Sequence, residues 1–196
     1  MMYMDYLFIA SNNAHKIAEI REILKKDHPE VKILCPKDMG DHTEPEEDGT
    51  TYEENAFIKA DYYYRKYGYP TIADDSGISI KYFNWGPNIH SSRFLSEYGD
   101  QGKNLKVLEM MEGVKDREAV FEAVICYIND GKVRYYHGEN RGEIALEAKG
   151  EEGFGYDPIF LIPQYGKTEA ELGNAYKNAN SHRARALEKW VKDLEK

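Results

Sequence analysis

The sequence predicts an α/β protein with a mixed β-sheet, flanking helices and two lobes around a cleft. In the first half, strand-like apolar runs alternate with segments whose apolar residues recur at helical spacing. In the second half, alternating apolar residues lead into Asp130-Gly131 and a further run, the pattern of a β-hairpin. The sequence contains no internal repeat and no low-complexity linker, so we interpret residues 1–196 as one domain.

The predicted elements of the first half are short strands and two helices. The strands are expected at 3–10, 31–35, 71–74 and 78–82. The first helix follows Asn12 and Asn13 and covers 15–24. Thr51 and Glu54 have capping-box spacing, so a second helix is expected from there to 67, ended by Gly68.

The second half is predicted to be richer in strands. Residues 83–99 are expected to be irregular, and Leu105, Leu108 and Met111 should lie on one side of a helix. The last helix is expected to start near Ser181. Strands are expected at 117–129, 132–136, 143–148 and 158–162.

Composition restricts the class of protein. A formal charge of −9 argues against nucleic-acid binding through a broad basic face, but not against a small phosphate ligand. The two cysteines, Cys35 and Cys126, exclude a disulfide framework and a CxxC zinc site, and they fit a reducing cytoplasm. The apolar run 7–10 is too short for a signal peptide or a membrane span, so no membrane partner is expected.

Two adjacent carboxylates, Asp74 and Asp75, follow the short run 70–73 and precede Gly77. A strand that ends on charge and turns at a glycine brings its last side chains to a surface or cleft, where open α/β sheets place chemistry. Asp and Gly are also common in ordinary turns, so both interpretations stay open. Because successive side chains of a strand face opposite ways, Asp74 and Asp75 should not bind one ion together.

The loop between the first strand and the first helix is a candidate phosphate site. Backbone N–H groups at a helix start point outward and the helix dipole favours anions, while Lys16 can reach a phosphate. An ordinary helix cap explains the same residues. The acidic loop of Glu44, Glu46, Glu47 and Asp48 is either a solvated surface or a source of oxygen ligands that share Mg²⁺ with Asp75.

Two later segments are candidates for binding a base or an anion. Residues 153–158 combine glycines, two aromatics and a carboxylate, which suits base recognition or a tight turn with core aromatics. Lys177, His182 and Arg183 lie near the start of the last helix, where cations oppose the helix dipole. An anionic or carbonyl-bearing ligand explains this placement, as does a solvated helix start.

The motifs, taken in order, resemble those of the noncanonical purine nucleoside triphosphate pyrophosphatases, the inosine/xanthosine triphosphatase family. The resemblance covers nearly the whole chain. It is carried by Ser11-Asn12-Asn13-Ala14-His15-Lys16 for [ST]GNxxK, Glu54-Asn55-Ala56 with Lys59-Ala60 for ENAxxKA, Ala73-Asp74-Asp75-Ser76-Gly77 for ADDSG, 153–160 for GFGYDPIF, and Ser181-His182-Arg183 for SHR.

The resemblance implies Mg²⁺-dependent hydrolysis of dITP, ITP and XTP to the monophosphate and pyrophosphate, a house-cleaning activity, by an elongated homodimer. Asp75 would be the general base and a metal ligand, with Glu46 as the second ligand and Glu47 as the alternative to it. The implied substrate-binding residues are Ser11, Asn12, Asn13, Ala14, His15, Lys16, Ser76, Phe154, Gly155, Tyr156, Asp157, Lys177, His182 and Arg183.

The chain departs from the family pattern at Asn12, which replaces a glycine, at Asn88 and His90 in the PGxYSAR loop, and at Tyr176, which replaces a glutamate before Lys177. These departures bear on substrate preference. Two alternatives stay open from the sequence: a Maf-like pyrophosphatase acting on pyrimidine or modified triphosphates, and a nucleotide-binding regulator without catalysis.

Overall fold

The computed structural model describes residues 4–196. Its strands are β1 (Tyr6–Ile9), β2 (Lys32–Leu34), β3 (Thr71–Ile80), β4 (Gly86–Pro87), β5 (Glu118–Asn129), β6 (Lys132–Ile144), β7 (Phe160–Ile162) and β8 (Lys167–Thr168). Its helices are α1 (Ala14–Asp27), α2 (Tyr52–Tyr67), α3 (Gly99–Met110), α4 (Glu169–Asn180) and α5 (His182–Leu194). Tyr3, the first residue of the predicted first strand, lies outside the described residues.

The strands form one mixed sheet. They pair in the order β2-β1-β3-β5-β6-β7-β8, and β4 pairs with β3. β1 runs parallel to β2 and to β3, whereas β4 is antiparallel to β3, and β7 is antiparallel to β6 and β8. The predicted α/β class with a mixed sheet and flanking helices is therefore confirmed.

The chain is organised as two compact units. Unit 1 comprises the residues up to Asp75, Ala123–Gly138 and Arg183–Lys196, and unit 2 comprises Ser76–Glu122 and Glu139–His182. The assignment of 1–196 to one domain stays a prediction. Over residues 4–196, none of the helices combines the length and apolar character that a membrane crossing needs.

Unit 1 has a core on each face of β1. Leu7 and Ile9 pack in a cluster with Leu187 and Trp190 of α5, while Phe8 packs in another with α2. This division follows from the alternation of side chains along a strand. Helix α2 begins where Thr51 Oγ1 accepts from the Glu54 amide and ends at Gly68, whose φ of 77° is left-handed, so both predicted ends are confirmed.

Unit 2 is built around a separate apolar cluster from β3, β5, β7 and α3. The face of α3 differs from the prediction: Leu105 is 61% exposed, while Val107 and Met111 are fully buried. The buried face also includes Lys103 and Asn104. A prediction based on apolar residues does not place these two polar residues in the interior, although the aliphatic stem of a lysine can be buried.

Two predicted breaks are absent from the described strands. β3 runs through Gly77 without turning, because Ile78 and Ile80 are both fully buried and the strand pairs with β4 there. β6 is likewise one strand where two were predicted, at 132–136 and 143–148, and its residues from Tyr136 onward alternate between buried and exposed. Pairing with neighbouring strands overrides the local turn signals.

Helix α4 was missed by the sequence interpretation. Thr168 Oγ1 accepts from the Glu171 amide, and Glu171 accepts in return from the Thr168 amide, so a capping box starts the helix. Gly173, with φ 75° and ψ −169°, kinks it, which explains why the apolar pattern is interrupted.

Candidate active site

The loop after β1 is placed beside the carboxylates of β3 by strand register. Ile9 lies opposite Ile72 in the parallel pair, and the Ala10 amide donates to the Ile72 carbonyl at 2.8 Å. β1 then ends while β3 continues to Asp74 and Asp75. The loop 11–13 and the first turn of α1 therefore lie alongside these two residues, all within unit 1.

The loop itself is an organised helix start. Asn13 Oδ1 accepts from the amides of His15 at 3.0 Å and Lys16 at 3.2 Å, and Ser11 Oγ accepts from the Asn13 amide at 3.1 Å. Asn12 donates to Glu44 in the acidic loop at 2.9 Å. The segment 12–15 is exposed at the positive end of α1, so the cap and an anion site coexist here.

Asp74 is a buried anion held among cations. Its Oδ1 lies 2.8 Å from Lys16 Nζ, and its two oxygens lie 3.3 and 3.4 Å from the guanidinium of Arg183. Arg183 also donates to the buried Glu19. Burial opposes ionisation, but Arg183 and Lys16 outweigh it and hold the pKa of Asp74 well below its usual range. Asp74 therefore holds the side chains of Lys16 and Arg183 in place.

Asp75 has a different environment. The residue is 8% exposed, Oδ1 lies 3.7 Å from Lys59 Nζ, and no described residue donates a hydrogen bond to the buried Oδ2. Burial raises the pKa of Asp75 to about 6, with smaller opposing contributions from Lys59 and Lys16. An available oxygen with raised basicity is suited to accept a proton or to bind a cation.

Lys59 joins the acidic loop to β3. Its Nζ donates to the Asp74 carbonyl at 2.6 Å and lies 3.0 Å from Glu47 Oε1. Glu47 is half-buried and its charge acts on Asp75, whereas Glu46 is exposed. Residues 4–196 contain no group of three or more His, Cys, Asp and Glu side chains arranged to hold a metal. The assignment of Glu46 to a metal stays a prediction, and Glu47 is the carboxylate brought toward Asp75.

In unit 2, the glycine-rich segment forms a turn around a buried carboxylate. Asp157 Oδ2 accepts from the Phe154 amide at 3.0 Å and from Lys177 Nζ at 2.6 Å. Gly153 has φ 80°, and an added Cβ would come within 2.2 Å of Asp157 Oδ2, so only glycine fits. Lys177 Nζ also lies 4.7 Å from the centre of the Phe154 ring. Three predicted residues, Phe154, Asp157 and Lys177, are thus brought together.

The other predicted residues of the segment have supporting contacts. Tyr156 is buried and its hydroxyl donates to the Ser91 carbonyl at 2.6 Å, while the Gly155 carbonyl accepts from Asn104 at 2.9 Å. His182, also in unit 2, stacks on Phe121 with ring centres 4.6 Å apart. Ser76 is half-buried within β3.

The sequence interpretation assigned no role to Lys59, Glu19 or Glu169. Lys59 belongs to the ENAxxKA segment, and Glu19 lies one helical turn after Lys16, so helical spacing could have indicated both. Glu169 is completely buried beside Asn140, from which it accepts a hydrogen bond at 2.9 Å. Nothing in the local sequence distinguishes Glu169 from a solvated residue in the first turn of a helix.

Fold and site together define a mixed α/β protein in which a phosphate-type loop, paired buried carboxylates and two lysines gather beyond the end of β1. This combination suits a strongly anionic substrate and a hard cation. The model of the Ham1 family matches residues 7–193. The chain therefore belongs to the Ham1 family.

Individual relatives extend over nearly the full chain. A dITP/XTP pyrophosphatase of Clostridium perfringens is 44% identical, covering 97% of this chain and 98% of its own length. One from Treponema denticola is 41% identical over 92% and 94%. The solved structure of a HAM1 protein from Coxiella burnetii matches with a TM-score of 0.86 at 40% identity, covering 98% of this chain and 99% of its own.

Proposed function

We propose that this chain hydrolyses the noncanonical purine nucleoside triphosphates dITP, ITP and XTP to the nucleoside monophosphate and pyrophosphate, removing them from the nucleotide pool. Relatives at 41–44% identity bear the name dITP/XTP pyrophosphatase. The observation that carries the proposal is Asp75, a buried carboxylate with an available oxygen, lying in unit 1 beside a loop suited to phosphates.

In this reaction a water oxygen attacks the α-phosphorus, the bond to the bridging oxygen breaks, and pyrophosphate leaves. The proton of the water passes to Asp75 Oδ2, to which no described residue donates. With its pKa raised to about 6, Asp75 is mainly ionised at neutral pH and is a stronger base than an ordinary aspartate. Lys16 and Lys59 supply positive charge close to it.

The residues around Asp75 fit Mg²⁺. The carboxylates of Asp75 and Glu47 are hard donors, and Lys59 Nζ, 3.7 Å from Asp75 Oδ1 and 3.0 Å from Glu47 Oε1, shows that a positive charge is stabilised between them. Asp75 would hold the ion together with Glu47, or with Glu46 after a change in the loop. When bound, Mg²⁺ would neutralise part of the phosphate charge and lower the pKa of a water molecule that it contacts.

The remaining assignments come from the family resemblance and are part of the proposal. The loop 11–16 and Ser76 bind phosphates. Phe154–Asp157, Lys177, His182 and Arg183 bind the nucleotide, and Arg183 does so while it fixes Asp74 and Glu19. The protein is a homodimer in the cytoplasm, the compartment in which its free cysteines Cys35 and Cys126 stay reduced, and it has no nucleic-acid or membrane partner.

Product analysis tests the proposal. Incubation of dITP with the protein and Mg²⁺ should yield deoxyinosine monophosphate and pyrophosphate in equal amounts, measured by ion-exchange chromatography. Release of orthophosphate would contradict it, as would binding of dITP without cleavage, the behaviour of a regulator. Cleavage of pyrimidine triphosphates in preference to dITP would identify the Maf-like alternative instead.

A further inference from the structure

A second buried carboxylate lies in unit 2, at the start of α4. Glu169 is 0% exposed, and its neighbours Asn140, Asp157 and Lys177 are 4%, 3% and 2% exposed. A fully buried glutamate is rare unless its oxygens are satisfied. Lys177 Nζ is 2.6 Å from Asp157 Oδ2, and the charge of Lys177 also acts on Glu169.

The hydrogen bonds of Glu169 are incomplete. Oε1 accepts from Asn140 Nδ2 at 2.9 Å, and Asn140 Nδ2 also donates to the Tyr176 hydroxyl at 3.2 Å. Oε2 is buried, and no residue in the described part of the chain donates to it. Glu169 and Asp157 lie within hydrogen-bonding and charge-interaction reach of each other. A bond between two carboxyl groups requires that one of them carry a proton.

The proton belongs on Glu169. Asp157 Oδ2 already accepts from two donors, the Phe154 amide and Lys177, whereas no described residue donates to Glu169 Oε2. Burial and the charge of Asp157 raise the pKa of Glu169 to about 8, against smaller opposing effects of Lys177 and Asn140. Two carboxyl groups that share a buried site keep one proton between them.

We propose that Glu169 is a positioning residue of the substrate site, which in its uncharged form donates a hydrogen bond from Oε2 to Asp157 and so holds Asp157 and Lys177 in their working orientation. This inference rests on the proposed function, in which Asp157 and Lys177 contact the nucleotide. Glu169 acts through these two residues and does not itself touch the substrate.

When Glu169 loses its proton, its hydrogen bond to Asp157 is replaced by repulsion between two carboxylates. The groups that act on Glu169 are Asn140 from β6, Asp157 from the turn before β7 and Lys177 from α4, and the Tyr176 hydroxyl of α4 is bonded to the same Asn140 amide. An ionised Glu169 repels Asp157 and competes with it for Lys177, which draws the ammonium away from its present partner. Substrate binding should therefore weaken at alkaline pH, while the chemistry at Asp75 is unaffected.

The test compares Glu169→Gln with the wild type in kcat and KM for dITP between pH 6 and 10. Glutamine keeps an N–H donor for Asp157 and an oxygen for Asn140, so KM at pH 7 should stay within about twofold. Above pH 8 the wild-type KM should rise about tenfold per pH unit relative to that of Glu169→Gln. Titration of the substrate is common to both proteins and cancels in the ratio.

A matched control is Glu171→Gln, which removes a charge from the same first turn, on an exposed residue, and keeps its cap. Its pH profile should follow the wild type. The inference is overturned if Glu169→Gln raises KM tenfold or more at pH 7, since an ionised glutamate would then be required. It is also overturned if the KM ratio between Glu169→Gln and wild type does not change with pH.

Urea unfolding separates this inference from the proposed function, because it needs no substrate. A carboxyl whose pKa is raised in the folded state loses its stabilising contribution as pH rises through that value. The wild-type unfolding constant should therefore grow about tenfold per pH unit, relative to Glu169→Gln, between about pH 5 and 8. If the unfolding constants follow this prediction but dITP is not cleaved, only the proposed function fails. If the ratio of the two unfolding constants does not change with pH, Glu169 is not protonated in the folded protein and the inference is overturned.

Discussion

Asp74 and Asp75 are neighbours in β3 whose side chains serve different purposes. Asp74 is enclosed by Lys16 and Arg183, which stabilise its charge. Asp75 is buried with one oxygen lacking any donor among the described residues, which makes its charge costly. Because strand side chains alternate, one short segment supplies both a fixed anion and a carboxylate with an available oxygen.

Replacing Asp75 by asparagine should lower kcat for dITP by about 10²- to 10⁴-fold, since the variant has no general base. Steady-state pyrophosphate release measures the loss. Circular dichroism should show an unchanged fold, because asparagine has nearly the same volume. Turnover within threefold of the wild type would remove Asp75 from the mechanism.

The same variant should be more stable than the wild type when metal and substrate are absent. Burial raises the pKa of Asp75 from 3.8 to about 6, so its contribution to stability is complete below about pH 4 and is lost as pH rises through 6. At pH 7.5, Asp75→Asn should raise the free energy of unfolding by roughly 3 kcal/mol.

Urea unfolding at pH 4 and pH 7.5 measures the free energy of unfolding of Asp75→Asn and of the wild type. The difference between the two proteins should vanish at pH 4. Equal stability at pH 7.5 would mean that the carboxylate is not disfavoured by burial. Metal binding would then have no unfavourable buried charge on Asp75 to neutralise.

The sequence predicted that the side chains of Asp74 and Asp75 face opposite ways, but not which residues surround each of them. Alternation along a strand is a local property, and it needs only the two adjacent residues. Arg183 reaches Asp74 across 109 positions of the chain, and Lys59 reaches its carbonyl across 15. Such pairings depend on how helices pack on the sheet, which no local pattern specifies.

At the scale of elements, helix α2 carries Lys59 toward β3, so its start affects both stability and site. Thr51 Oγ1 accepts from the Glu54 amide at 3.1 Å and satisfies one of the free N–H groups of the first turn. Thr51→Ala should lower the free energy of unfolding by about 1 kcal/mol.

Thermal unfolding should register this loss as a fall in Tm of roughly 2–4 °C. Thr51→Ser keeps the hydroxyl and is the matched control, with a Tm close to that of the wild type. If alanine and serine variants melt together, the cap contributes nothing and the start of α2 is fixed by packing alone.

Elements with local end signals were predictable, and those defined by pairing were not. Thr51 and Gly68 gave both ends of α2. β3 was divided in the prediction because Gly77 resembles a turn, yet the strand continues, since β4 pairs with it and its side chains are buried. α4 was missed because Gly173 interrupts its pattern.

For the whole molecule, the α/β class followed from alternation of predicted helices and strands, together with the hairpin at Asp130-Gly131. The order of strands in the sheet did not, because β3 and β5 are adjacent although separated by the whole of α3 in sequence. Division into two compact units likewise depends on long-range packing.

Assembly is a property at this scale that the resemblance predicts. Sedimentation equilibrium should give a mass twice the 22.7 kDa of the chain. A mass equal to one chain at micromolar concentration would contradict the proposed homodimer without affecting the assignment of Asp75.

The measurement that tests the central claim most directly is kcat/KM for dITP and XTP against ATP and GTP, with Mg²⁺ at pH 7.5. A site that pairs its donors with the C6 carbonyl of hypoxanthine or xanthine should reject the amino group that adenine carries there by a factor on the order of 10⁴. Guanine keeps this carbonyl, so rejection of GTP requires that the site also exclude its 2-amino group. Asp75→Asn, prepared identically, sets the background from contaminating phosphatases. We predict release of pyrophosphate from dITP and XTP far above that from ATP and GTP; equal kcat/KM for all four triphosphates would contradict the proposed function.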